Sequence, residues 1–207
     1  MQAATAIDEP NPSLARTFAC ARPREAWLMP PGGKVAKRLS WYWQVEIANA
    51  ALVPAGFVII AYLNGARLGW PTFAALVPGC GLLIIGGLYW RGKLHALQGD
   101  KAALDKALAV ADRFDRPLLL LTIAACLLAA AGFIPPLRES DGGERWAVLI
   151  AALLALAEYV NYYHRQLQHF DNWPDFQRLI TGRGFRPAKM AVDLAAWRAA
   201  RQKRQAA

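Results

Sequence analysis

Cysteine is scarce in this chain: the three residues, Cys20, Cys80 and Cys126, show no CxxC spacing, and two of them lie inside long apolar runs. Neither a disulfide framework nor a zinc site is supported, and all three read as free thiols. Histidine is equally rare. His164 and His169 are five positions apart and do not share a helical face, His95 stands alone, and no Glu-x-x-His or His-x-x-x-His pair accompanies the glutamates. No metal ligand set and no cofactor is therefore expected. The first 40 residues hold no short apolar core before a small-residue cleavage site, so the expectation is an uncleaved N-terminal region. An internal repeat is also missing, which leaves an inverted-repeat transporter without support.

The most informative shortage is of charge within four long blocks. With 56% hydrophobic residues, the 207-residue chain would pass on length for one soluble domain. A soluble fold would spread those residues as helical stripes or strand alternations. Here they are concentrated, from about Trp41 to Asn64, Trp70 to Trp90, Pro117 to Ile134 and Trp146 to Gln166. Each block is long enough to cross a hydrocarbon core of roughly 30 Å as a helix. The fold class expected is an all-α, integral membrane four-helix bundle with four transmembrane helices.

The basic residues set an expected orientation. Residues 1–40 carry six Lys/Arg, the segment from Arg91 to Arg116 six, and the tail from 171 to 207 eight, whereas the other two connections carry one (Arg67) and two (Arg138 and Arg145). Under the positive-inside rule both termini and the middle loop are cytoplasmic, an N-in/C-in arrangement in a cell membrane. The net charge of +9 is thus mainly a topological signal. No nucleic-acid partner is expected, because no groove-reading or base-stacking module accompanies the charge.

Residues 1 to about 32 carry Pro10, Pro12, Pro23, Pro30 and Pro31, and with the basic stretch Lys34 to Arg38 they read as a flexible cytoplasmic arm up to residue 40. Trp41, Tyr42, Trp43, Trp70, Tyr89, Trp90 and Trp146 suit headgroup layers. Short connections make sequential spans antiparallel neighbours. The middle loop reads as a helix through Leu94, Leu97, Leu104, Leu108 and Phe114, lying along the membrane surface or extending the second span. Pro54 and Pro78 fall at one depth, where Gly56, Gly79 and Gly81 suit close helix contact.

Polar chemistry inside the blocks is confined to one recurring pattern, Glu46-Ile-Ala-Asn49 in the first and Glu158-Tyr-Val-Asn161 in the fourth. Glu46 is five residues past Trp41 and Asn161 five before Gln166, while Asn49 and Glu158 are each eight deep from the same boundaries. Were spans one and four adjacent, each glutamate would meet the other helix's asparagine in a reciprocal hydrogen bond. Tyr162, His164 and Arg165 complete this candidate polar layer, with Arg165 seven residues after Glu158 and placed to neutralise either glutamate. Such a layer fixes helix register, carries protons or ions, or serves a catalytic pocket.

The tail reads as two helices. The first covers Asp171 to Arg183, with Asn172 as cap before Trp173 and Pro174 and Gly182 as stop. Pro187 opens the second, in which Met190, Ala191, Leu194 and Trp197 share one side while Lys189, Asp193, Arg198, Arg201 and Arg204 occupy the rest. A tail with so few large apolar residues cannot build its own core, so the stripe is expected to take cover from the bilayer, with anionic lipid headgroups holding the basic residues, or, failing that, from a partner protein or the middle loop. Three function classes follow: a non-enzymatic accessory, scaffold or assembly subunit working with other membrane subunits or as a homo-oligomer; an oligomeric small channel or transporter using the Glu/Asn layer; and a membrane-embedded lipid-modifying enzyme. The first is preferred.

Overall fold

The helix ends follow from the glycines and proline that punctuate the apolar runs. In the computed structural model of the chain, residues 33–134, 142–167, 181 and 184–206 are described. They form five helices, α1 (Lys34–Leu63), α2 (Trp70–Leu97), α3 (Lys101–Ala131), α4 (Gly142–Tyr163) and α5 (Lys189–Ala206). The first four are long and apolar enough to cross a membrane. Even the shortest, α4 with 22 residues, reaches about 33 Å at about 1.5 Å per residue, enough for the hydrocarbon core.

α1 ends at Gly65, whose φ of 65° is the left-handed conformation that glycine adopts without a Cβ penalty. Ala66 N–H then donates to the Ala61 carbonyl at 2.9 Å, closing the last turn. The same device ends α2: Gly99 has φ 102°, and Asp100 N–H donates to the His95 carbonyl at 2.9 Å. Asp100 immediately caps α3 by accepting from Ala103 N–H at 3.2 Å. The middle loop is therefore a three-residue turn between two long helices. This corrects the reading of a separate surface helix: Leu94 and Leu97 extend α2, as one alternative had it, and Leu104, Leu108 and Phe114 belong to the start of α3. Pro117 lies inside α3 and does not begin it.

At the opposite end α4 supplies what the α2 N-terminus lacks. Gly69, the N-cap residue of α2, has no capping side chain. Its N–H donates to Glu144 of α4 at 2.7 Å, satisfying a free helix-end donor next to the positive end of the helix dipole. The N-terminal arm also needs adjustment, because α1 begins at Lys34 and absorbs residues 34–40. No breaker separates Gly33 from the first apolar block. Residues 1–32 lie outside the described part of the chain, as do 135–141 and most of 168–183.

α2 is the centre of the bundle. It packs extensively on α3, α1 and α4, whereas α1 has an extensive interface with α2 alone. Two cores result. One joins Ala75, Leu76, Ala125, Ala129, Val148, Ala151 and Ala152, small residues that let backbones approach. The other, at the end carrying the Gly99 turn, holds Leu82, Ile85, Tyr89, Leu108, Tyr159, Tyr162 and Tyr163, with Met190 and Leu194 of α5 buried among them. Outward surfaces carry exposed Leu52, Ile59 and Ile60 on α1, Leu120 and Leu127 on α3, and Ile150 and Leu153 on α4. So much bulky apolar surface suits hydrocarbon, not water.

Candidate functional site

The polar side chains collect at the Gly99-turn end of the bundle in two groups. The deeper group is assembled by adjacent glycines of α2. At Gly86 a Cβ would stand 2.2 Å from the Tyr162 ring of α4, and at Gly87 one would stand 3.1 Å from the Trp43 carbonyl and 2.5 Å from Ile47 of α1. Only glycine admits such approach. The two windows bring Glu46 of α1 and Tyr162 of α4 to the same level of α2, and both are buried. The Tyr162 hydroxyl faces Glu46 and Glu158, but it sits outside good hydrogen-bonding geometry, and Glu158 Oε2 is likewise buried without a partner among the described residues.

This arrangement keeps part of the expected layer and rearranges the rest. Glu46, Glu158 and Tyr162 converge. Among the described residues the reciprocal Glu-to-Asn bonds between spans one and four are not formed. Glu158 instead has Asn161 of its own helix as neighbour, and Asn161 Oδ1 accepts from Leu167 N–H at 2.9 Å. Asn49 is half-buried on α1. Arg165 does not neutralise either glutamate; its Nη1 donates to the Phe185 carbonyl at 3.2 Å. His164 is exposed, with its ring 5.5 Å from that of Tyr159.

The second group clamps α5 to the bundle, and it begins with the backbone. Ala188 N–H donates to the His164 carbonyl at 3.1 Å and Gln166 N–H to the Arg186 carbonyl at 2.9 Å, so the chain returns alongside the end of α4. Asp193 accepts from the buried Tyr89 hydroxyl at 2.6 Å and pairs with Lys93 at 2.7 Å. One turn on, Arg198 spans two carboxylates of α3, Asp112 at 2.5 Å and Asp115 at 2.8 Å. Asp115 also accepts from Tyr159 of α4 at 2.8 Å. The hydrogen bond to Asp115 raises the Arg198 pKa from its ordinary value, partial desolvation opposes the rise and Asp112 adds to it. The guanidinium is therefore charged at every working pH.

The clamp corrects the expectation that the tail's stripe needs outside cover. Met190 and Leu194 are 2% exposed, and Trp197 packs on the same core, so the chain covers its own stripe. The sequence sets Asp193 and Arg198 off the apolar stripe and names no partner for them; their partners come from α2 and α3 and lie about a hundred residues away, beyond any periodicity within α5. Asp112 and Asp115, separated by three positions on a helix, were the available signal. Lys189, Arg201 and Arg204 remain exposed, with the Arg201 guanidinium 5.3 Å above the Trp197 ring. The Asn172 cap, Trp173, Pro174 and Gly182 fall outside the described residues.

No family model, curated protein or solved structure matches the chain. Chemistry must come from the site itself. Beside the deeper group a cavity of about 30 Å³ is lined by Tyr42, Asn161, Tyr162, Gln166 and Lys189 among others, room for about one water molecule. Among the described residues no three His, Cys, Asp or Glu side chains are grouped to hold a metal ion.

Proposed function

We propose that the protein is a non-enzymatic accessory or scaffold subunit of a membrane complex, crossing a cell membrane four times with both termini and the Gly99 turn in the cytoplasm. The observation that carries the reading is the clamp on α5. Helix length and composition support the membrane crossing, and the Lys/Arg distribution supports the orientation. Holding α5 by Met190, Leu194, Asp193 and Arg198 leaves Lys189, Arg201, Lys203 and Arg204 exposed. A helix fixed in this way is a rigid basic platform at the end of the bundle, suited to anionic lipid headgroups and to acidic segments of neighbouring subunits. Each basic residue near an anionic membrane surface contributes about 1 kcal/mol.

The test is gentle solubilisation of the full chain from its native membrane, followed by native sizing and stoichiometry. Co-migration with a second membrane protein in fixed ratio, lost when Arg201, Lys203 and Arg204 are all replaced by Gln, is the expected result. Migration of the full chain alone or only with itself, unchanged by that replacement, overturns the reading.

A further inference from the structure

The clamp on α5 leaves the deeper polar group unused. Glu46 and Glu158 come from different helices, and each is near the Tyr162 hydroxyl. That hydroxyl belongs to a side chain 4% exposed, and among the described residues it lacks a hydrogen bond of good geometry, as does Glu158 Oε2. Two ionised carboxyls facing a single phenol O–H within an apolar bundle are short of donors, because that O–H serves one oxygen at a time.

Three cations at this end of the bundle are engaged elsewhere. Arg165 bonds the Phe185 carbonyl, Lys93 pairs with Asp193, and Arg91 lies over the Trp43 ring at 5.2 Å. Tyr162 of α4 faces both carboxyls and Tyr42 of α1, and the cavity it lines also holds Tyr89 of α2 and Lys189 of α5. Calcium and magnesium call for about six oxygen ligands, and the two carboxylates with one phenol fall short of that set.

We infer that Glu46 and Glu158, with the Tyr162 hydroxyl beside them, form an intramembrane site that binds one proton, exchanged with the Gly99-turn end through the adjoining cavity. One neutral and one ionised carboxyl restore the missing donor: the protonated group donates to the other carboxylate, and Tyr162 donates to the oxygen left over. Loading needs only a hydronium in the cavity, whose proton forms the new O–H bond while water is released. Two charges in this setting repel strongly, whereas one shared proton halves the charge and bridges α1 to α4 across the glycine windows. The site lies outside the clamp and does not depend on the subunit reading.

Infrared difference spectroscopy of the full chain in lipid nanodiscs tests the inference. At neutral pH the wild type is expected to show the C=O stretch of a neutral carboxyl, shifted by exchange into heavy water. Glu46→Gln and Glu158→Gln should each abolish that band, since the remaining carboxylate then ionises beside an amide donor, and Tyr162→Phe should shift it without removing it. Absence of the band from the wild type overturns the proposal, whatever the variants do. So does its persistence in both Gln variants, or its appearance only when sodium is withheld.

Discussion

Tyr89 of α2 donates a 2.6 Å hydrogen bond to Asp193 of α5, a residue 104 positions further along the chain. Tyr89 is only 1% exposed, so its hydroxyl relies on this carboxylate, which also holds Lys93. This contact converts a tail helix into part of the bundle. Asp193→Ala strands both the hydroxyl and the ammonium and should loosen α5 by about 1–3 kcal/mol, whereas Tyr89→Phe removes donor and need together and should cost about 0.5–1.5 kcal/mol. Hydrogen exchange of α5 amides in the detergent-solubilised protein reads the difference. The double variant should fall short of the sum, because the two residues share one interaction.

Arg198 is expected to act through geometry as well as charge. Its guanidinium meets Asp112 and Asp115 from separate nitrogens, a fork that lysine does not reproduce. Its side chain is 43% exposed, so solvent screening keeps the effect near that of a surface pair, about 0.2–1 kcal/mol. Limited proteolysis of α5 should speed up in the order wild type, Arg198→Lys, Arg198→Ala. Raising salt toward about 1 M, where the screening length falls to about 3 Å, should narrow the differences.

Glycines of identical type should respond oppositely to alanine. A Cβ at Gly86 would collide with the Tyr162 ring, while one at Gly56 meets nothing within 4 Å. Gly86→Ala should therefore destabilise by about 1–3 kcal/mol through overpacking. Gly56→Ala should be neutral or stabilise by up to about 1 kcal/mol through helix propensity. Thermal unfolding in one detergent compares them.

The spans were legible in the sequence because length and lack of charge alone decide whether a helix can cross hydrocarbon; the four blocks and the four long helices coincide to within their ends. The ends themselves were misjudged at Lys34 and at Lys101, where charged residues continue a helix that the apolar run does not mark. Depth along a helix placed Glu46 level with Asn161 and Asn49 level with Glu158, but depth carries no information on which helices touch. That depended on α2 packing on both α1 and α4, and its signal was the density of glycine at Gly79, Gly81, Gly86, Gly87 and Gly92, of which only the first two had been used. The amphipathic stripe of α5 was readable from its spacing. Of the surface that covers it, only the middle-loop part around Leu104 and Leu108 was open to that reading; Tyr89 and Tyr159 belong to helices that the spacing within α5 does not point to.

The measurement that bears most directly on the account is accessibility of introduced thiols in sealed cells, with Cys20, Cys80 and Cys126 replaced by serine. The Gly99 turn and α5 share one end of the bundle, and Gly142 at the start of α4 lies at the other. An impermeant maleimide added outside should label Gly142→Cys and leave Asp105→Cys and Lys203→Cys untouched until the membrane is opened. Labelling of Lys203→Cys alongside Gly142→Cys in intact cells would contradict the four-span arrangement and, with it, the cytoplasmic platform built on α5.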